Sequence, residues 1–158
     1  MFRCGFGYDV HCLVSDRELI LGGVKIPYSK GLSGHSDADV LIHSIIDALL
    51  GALALGDIGT FYPDNDLAYK DIDSRILLRK TYTLIREKGW KLNNLDAVIC
   101  CQEPKLQPFI NTMRANLALD LHCAIEQISL KATTEEGLGI SGKGEGISAF
   151  CQLLLVKD

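Results

Sequence analysis

The 158-residue sequence has no C-x-x-C pair, no excess of basic residues, no internal repeat or low-complexity tract, and no apolar run long enough to cross a bilayer. Each absence removes a class of protein. With 16 Lys+Arg against 20 Asp+Glu the net charge is −4, which argues against nucleic acid or another polyanion as partner. The longest apolar stretch, Val40 to Leu55, is broken by His43 and Asp47 and falls short of the roughly 20 residues of a membrane span, so it reads as a buried helix and no membrane partner is expected. Six scattered cysteines (Cys4, Cys12, Cys100, Cys101, Cys123, Cys151) lack the density of a small secreted disulfide scaffold. They read as reduced thiols buried as small hydrophobes. Met1-Phe2-Arg3-Cys4-Gly5 lacks the plan of a signal or transit peptide, and a cytoplasmic location is expected.

What is there reads as one domain, 1–158, with an ordinary globular balance of 47% hydrophobic and 23% charged residues. Phe2 to Leu13 reads as a strand, followed by a hairpin of Leu19-Ile20-Leu21 and Val24-Lys25-Ile26 turned at Gly22-Gly23. The pattern predicts a helix over about Asp37 to Ala54, a turn at Gly56 to Gly59, and an exposed loop at Tyr62 to Asp66. A second helix runs from the Asp73-Ser74 cap to about Lys88, and a third, amphipathic one over Pro108 to Leu121. Trp90 to Cys101, Ile128 to Ala132 and Ile147 to Val156 read as strands. The expected fold is an α/β sandwich, one mixed sheet with about three helices on one face, the other face needing cover that oligomerisation would supply.

Asp9-Val10-His11 sets a carboxylate and an imidazole on one side of an extended segment, and His43 could complete a tripod for a Zn²⁺ with one open position. Asp39 or Asp47, four residues either side of His43, could orient its ring, or both could be solvated helix charges. His35-Ser36 lies at the expected start of that helix, where backbone N–H groups favour an anion such as phosphate; Ser36 as a simple cap is the alternative. Lys131-Ala132-Thr133-Thr134-Glu135-Glu136 mixes a cation, hydroxyls and carboxylates in a way that suits diphosphate with Mg²⁺, though a polar strand end would look the same. Gly142-Lys143-Gly144-Glu145-Gly146 matches neither nucleotide-binding glycine motif and reads as a turn.

Four segments in order, Gly5-Phe6-Gly7-Tyr8-Asp9-Val10-His11, Gly34-His35-Ser36-Asp37-Ala38-Asp39-Val40, Ala54-Leu55-Gly56-Asp57-Ile58-Gly59 and Lys131-Ala132-Thr133-Thr134, resemble the 2-C-methyl-D-erythritol 2,4-cyclodiphosphate synthase family. Tyr62-Pro63-Asp64, Pro104-Lys105-Leu106 and Gly144-Glu145-Gly146 extend the resemblance over essentially the whole chain. It implies a lyase of non-mevalonate isoprenoid synthesis: the 2-phosphate of 4-diphosphocytidyl-2-C-methyl-D-erythritol 2-phosphate attacks the β-phosphorus and CMP leaves. No protein nucleophile is needed, so catalysis would rest on positioning and charge neutralisation.

By the same resemblance Asp9, His11 and His43 would hold Zn²⁺ or another divalent transition metal, and Glu136 would help hold Mg²⁺ or Mn²⁺ on the substrate diphosphate. Asp57, beside Ile58 and Gly59, would bind the methylerythritol hydroxyls, and Ser36 a phosphate. His35 and Thr134 would stabilise the transition state, and Tyr62, Asp64 and Asp66 belong to a loop closing over substrate. Cys101, Pro104, Lys105 and Leu106 fall in the cytidine-binding segment, and Thr133 would touch the nucleotide phosphates. The resemblance also implies a homotrimer with active sites between subunits. Three departures stand out: Glu103 adds negative charge to the cytidine loop, and Ile140 and Lys143 stand where relatives often carry an aromatic residue and an arginine facing the trimer axis. A lysine there lacks arginine's fork, so weak isoprenoid diphosphate binding at the axis is expected. A zinc phosphohydrolase, or a non-catalytic trimer binding zinc or cytidine nucleotides, would use part of the same residue set.

Overall fold

A computed structural model describes all residues 1–158. Strand β1 (Phe2–Ser15) is followed by a two-stranded hairpin, β2 (Leu19–Leu21) with β3 (Val24–Ile26), and by β4 (Lys30–Leu32). Helix α1 (Val40–Ala52), the short α2 (Ile58–Phe61) and α3 (Ser74–Glu87) lead to β5 (Trp90–Cys100). Then come α4 (Ile110–Asp120), β6 (Ile128–Thr133), the short α5 (Gly139–Gly142) and β7 (Gly146–Lys157). Five strands form one mixed sheet in the order β4-β1-β7-β5-β6, antiparallel throughout except for the parallel β5–β6 pair.

The expected α/β sandwich is the observed fold: α1 lies across β1 and β7, with α3 and α4 beside it on the same face. Leu95, Ala97 and Ile99 of β5 and Ile147, Ala149, Cys151, Leu153 and Leu155 of β7 point into this core, which also takes nearly every residue of α1. The opposite sheet face carries Phe2, Phe6 and Tyr8 of β1, all exposed, with the Phe150 ring 4.7 Å from that of Tyr8. No helix is long and apolar enough to cross a membrane.

Two glycines set the distance between α1 and the sheet. A Cβ on Gly5 would lie 1.9 Å from the Ala48 carbonyl oxygen, and one on Gly7 1.9 Å from that of Ser44. Only hydrogen at these positions lets the helix backbone rest directly on β1. Since Gly5, Gly7, Asp9 and His11 share one side of an extended strand, the seat of α1 and the Asp9/His11 pair lie on the same face.

Several boundaries differ from the sequence reading. Helix α1 starts three residues later, at Val40, because Asp39 is its N-cap, accepting from Ile42 N at 3.1 Å. The turn expected at Gly56–Gly59 is partly helical, capped by Asp57, and the glycine-rich stretch after Gly137 contains α5. Before α4 a 3₁₀ turn takes up Gln107–Phe109. The helix itself is less cleanly amphipathic than its spacing suggests, since its inner face includes Asp120 and Leu119 is 68% exposed. Asp120 is accommodated by ion pairs to Arg75 at 2.6 Å and Arg79 at 3.0 Å. All six cysteines are free, but only Cys100, Cys101 and Cys151 are buried; Cys4 and Cys12 are exposed on the open sheet face, so the expectation of buried thiols holds for half of them.

Candidate functional site

With α1 held against β1, His43 on the second turn of the helix meets Asp9 and His11 on the strand. Asp9 Oδ2 lies 2.9 Å from His11 Nε2 and 3.0 Å from His43 Nδ1, and the two nitrogens are 3.2 Å apart. Metal bonds of about 2.0–2.1 Å to a tetrahedral ion place ligand atoms roughly 3.3 Å from one another, so the three atoms form a slightly contracted face of such a shell. His11 Nδ1 is 2.6 Å from the Ser33 carbonyl oxygen, which only accepts, so in the neutral ring that nitrogen carries the proton and Nε2 turns its lone pair toward Asp9 and His43. A lone pair aimed at a carboxylate and a second imidazole calls for a cation between them, and the set fits a divalent transition metal.

Burial works against ionisation of Asp9, but hydrogen bonds and charge interaction with the two imidazoles outweigh it and hold the carboxyl at about 2. Burial likewise works against the His11 imidazolium, and the Asp9 carboxylate overcomes it, raising the His11 pKa above its ordinary value. Gly34 keeps the pocket open at this point: a Cβ there would sit 3.0 Å from His11 Cε1.

The two carboxylates flanking His43 on α1 do not orient it. Asp39 is fully buried and accepts from Gly22 N, Gly23 N and Ile42 N, fastening the β2–β3 turn to the helix start. Burial, with Asp37 nearby, pushes its carboxyl up to about 6 against the pull of those N–H groups. Asp47 accepts from Ile58 N at 2.7 Å and so anchors α2. His43 Nε2 instead meets Ser74 Oγ at 3.0 Å and Ser36 Oγ at 3.1 Å. Side chains meet several of the N–H groups at the start of α1. The N–H groups of Ala38 and Asp39, just before the helix, and of Ile42 in its first turn are taken by the side chains of Ser36, Asp37 and Asp39.

A cleft of about 220 Å³ gathers Asp9, His11 and His43 with His35, Ser36, Ile58, Gly59, Tyr62 and Asp64. His35 Nε2 contacts the Asp66 carbonyl oxygen at 2.8 Å, tying the cleft edge to the 62–66 loop. Tyr62 is fixed by its hydroxyl, 3.0 Å from Thr81 Oγ1, and by an edge-on contact with Tyr69. Asp57, at the start of α2, lies outside the cleft lining and is fully exposed. The Thr60 hydroxyl and N–H, each 2.9 Å from its Oδ1, lower its pKa and leave it a carboxylate. Gly34, Tyr69 and Leu77 also line the cleft and were not singled out as site residues; only tertiary packing brings them there.

A second, separate cleft of about 180 Å³ is formed by Cys101, Gln102, Pro104, Lys105 and Leu106 with Ala132, Thr133 and Thr134. The parallel pairing of β5 with β6, Cys100 opposite Thr133, brings these two strand ends together. Gln102 Oε1 is buried without a hydrogen-bond partner, an acceptor waiting for a donor. Burial, with the Glu103 carboxylate nearby, pushes the Cys101 thiol up to about 12, so it is a neutral wall and not a nucleophile. Glu103 itself is exposed. Thr134 Oγ1 donates to Glu136 Oε1 at 2.7 Å, which sets that carboxylate just beyond the cleft. Ile140 and Lys143 are exposed and line neither cleft.

Residues 2–156 match the family described as the YgbB family. Among curated proteins, the 2-C-methyl-D-erythritol 2,4-cyclodiphosphate synthase of Carboxydothermus hydrogenoformans is 62% identical over 158 residues, covering 100% of this chain and 96% of that one. That of Geobacter metallireducens is 60% identical, with coverages of 97% and 98%. Among solved structures, the IspF of Plasmodium falciparum in a CDP complex superposes with a TM-score of 0.87 at 36% identity, covering 99% of this chain and 97% of that one. The bifunctional IspDF of Campylobacter jejuni gives 0.96 at 42% identity, this chain spanning 43% of that longer one.

Proposed function

Because the chain belongs to the YgbB family, whose curated members similar to it are 2-C-methyl-D-erythritol 2,4-cyclodiphosphate synthases, we propose how its residues divide that reaction between two clefts. The chain is a lyase that converts 4-diphosphocytidyl-2-C-methyl-D-erythritol 2-phosphate to the 2,4-cyclodiphosphate and CMP. One observation carries the assignment of roles: Asp9, His11 and His43 converge within 3.2 Å of one another at the wall of a cleft. A divalent metal held there supplies Lewis-acid polarisation of a phosphate oxygen.

The chain's own groups do the rest. Asp57 accepts from the methylerythritol hydroxyls, while Ile58 and Gly59 form the wall beside it. Ser36 contacts the phosphate end, and the His35 ring and the Thr134 hydroxyl donate to the oxygens on which charge gathers as the ring closes. Tyr62, Asp64 and Asp66 belong to the segment that shields the reacting phosphates from water, so that the 2-phosphate, and not water, attacks. In the second cleft Cys101, Pro104, Lys105 and Leu106 take the cytidine, with the orphan Gln102 Oε1 suited to an exocyclic amine, and Thr133 contacts the nucleotide phosphates. Glu136, held by Thr134, is the acidic group for a Mg²⁺ or Mn²⁺ that accompanies the diphosphate.

The two clefts are separate on one chain, and the sheet face away from the helices exposes Phe2, Phe6 and Tyr8. Both features support a homotrimer packed on that face, in which the metal cleft of one subunit and the nucleotide cleft of its neighbour make one active site, with Ile140 and Lys143 toward the axis. Six free thiols accord with a cytosolic protein. The test is ³¹P NMR of the protein with substrate and Mg²⁺, with and without a zinc chelator. Two coupled ring-diphosphate resonances with CMP, lost on chelation, are expected; free inorganic phosphate would instead mean hydrolysis and refute the assignment.

A further inference from the structure

We propose that Ser74 and Asp37 are positioning residues that fix the tautomer of His43 in which Nδ1 is free to bind a metal. The inference rests on the metal reading above but concerns residues outside the ligand set. Only Nδ1 of His43 faces Asp9 and His11, at 3.0 and 3.2 Å. To bind an ion that nitrogen must be free of its proton, so in the neutral ring the proton belongs on Nε2. Without help the preference runs the other way, since Asp9 Oδ2 is an ionic acceptor 3.0 Å from Nδ1 and would draw the proton to the wrong nitrogen.

Ser74 supplies the counterweight. Its Oγ lies 3.0 Å from His43 Nε2, and its own hydroxyl hydrogen is given to Asp37 Oδ1, so toward the imidazole it can only accept. Asp37 holds Ser74 at two points, its Oδ2 also accepting from Ser74 N at 3.0 Å. Ser74 is 0% exposed, so no water competes for its lone pairs. Ser36 Oγ, 3.1 Å from the same nitrogen, accepts from Ala38 N and has no carboxylate behind it. The hydroxyl of Ser74 is not needed to start α3, whose N-cap is Asp73, accepting from Arg75 N at 2.8 Å. A side chain that neither caps its helix nor meets solvent, yet is gripped by a carboxylate and pointed at a metal ligand, fits the outer support that metal-bound histidines require.

The experiment titrates Zn²⁺ into metal-free protein in competition with a chromophoric chelator, for wild type, Ser74→Ala, Asp37→Asn and the double variant, and reads the His43 tautomer from ¹⁵N ring shifts of metal-free samples. Ser74→Ala should weaken Zn²⁺ binding about 10- to 100-fold and lower the Nε2–H population of His43, leaving the His11 tautomer in place. Asp37→Asn should weaken binding in the wild-type background and add little to Ser74→Ala, because it acts through that hydroxyl. Zn²⁺ affinity within twofold of wild type in Ser74→Ala, fully additive losses, or an unchanged His43 tautomer would each overturn the proposal. If Ser74→Ala does not fold, Asp37→Asn alone carries the comparison. A wild type that takes up no Zn²⁺ refutes the metal reading itself, and the tautomer in metal-free protein still decides whether Ser74 sets the ring.

Discussion

Adding one methyl group at Gly7 should damage the proposed metal site, which Gly7 does not touch. A Cβ there would lie 1.9 Å from the Ser44 carbonyl oxygen, whereas such contacts are essentially never shorter than 3.0 Å, so α1 and β1 must part by about 1 Å at this point. Ser44 follows His43 in the helix, and a metal shell tolerates errors of only about 0.2 Å in ligand distance. Overpacking of this kind costs about 1–3 kcal/mol, or roughly 2–12 °C in Tm for a chain of this length. Gly7→Ala should therefore melt lower and lose at least about tenfold in Zn²⁺ affinity, since its strain falls on the helix that carries His43. Gly51→Ala is the matched control on the facing helix: its Cβ would meet only Phe6 O at 3.8 Å, an ordinary contact, and replacing a helical glycine gains about 0.5–1 kcal/mol. Calorimetric melting at one fixed protein concentration and chelator competition read both variants. Wild-type zinc affinity in Gly7→Ala, or an equal loss in Gly51→Ala, would refute the claim that the glycine seat sets the metal geometry.

Further expectations follow from the same geometry. His11→Ala should abolish turnover by losing the metal, whereas Asp57→Ala should keep it while raising KM and lowering kcat; equal metal loss by elemental analysis would contradict that division. Because the His11 pKa is raised in the metal-free protein, proton and metal compete for Nε2. Zn²⁺ affinity should be flat above that pKa and fall about tenfold per pH unit for each proton displaced below it. In chelator the same group stabilises the fold at pH below its unfolded value and loses that contribution as pH rises through the raised one, so a pH series of melts with and without Zn²⁺ should show opposite trends from this group. Dilution that separates subunits, followed by sedimentation, should abolish turnover in step with dissociation, and activity surviving in the monomer would sink the shared-site reading.

Much of this protein was legible along the chain because its signals are local. A period of two across Phe2–His11 put Asp9 and His11 on one side, the apolar run after Asp39 announced α1, and Asp73-Ser74 marked the start of α3. Four ordered motifs resemble one family, and the YgbB match over residues 2–156 bears that out. The start of α1 was read too early because Asp37 and Asp39 are equally good caps by residue type. Only the contacts separate them: Asp39 reaches Ile42 N, while Asp37 turns to Asp39 N and Ser74.

What residue spacing could not supply is which polar group meets which across the fold. Asp39 and Asp47 sit at the right intervals to steer His43, yet the helix start claims one and the N–H of Ile58 the other. Ser74, 31 residues from His43, reaches its ring because α3 packs beside α1. The reason is physical: secondary structure answers to neighbours a few residues apart, so periodicity records it. The partner of a buried hydrogen bond is fixed only when helix and strand surfaces dock, and that is decided by contacts such as Gly7 against Ser44, distant in the chain and invisible in its pattern.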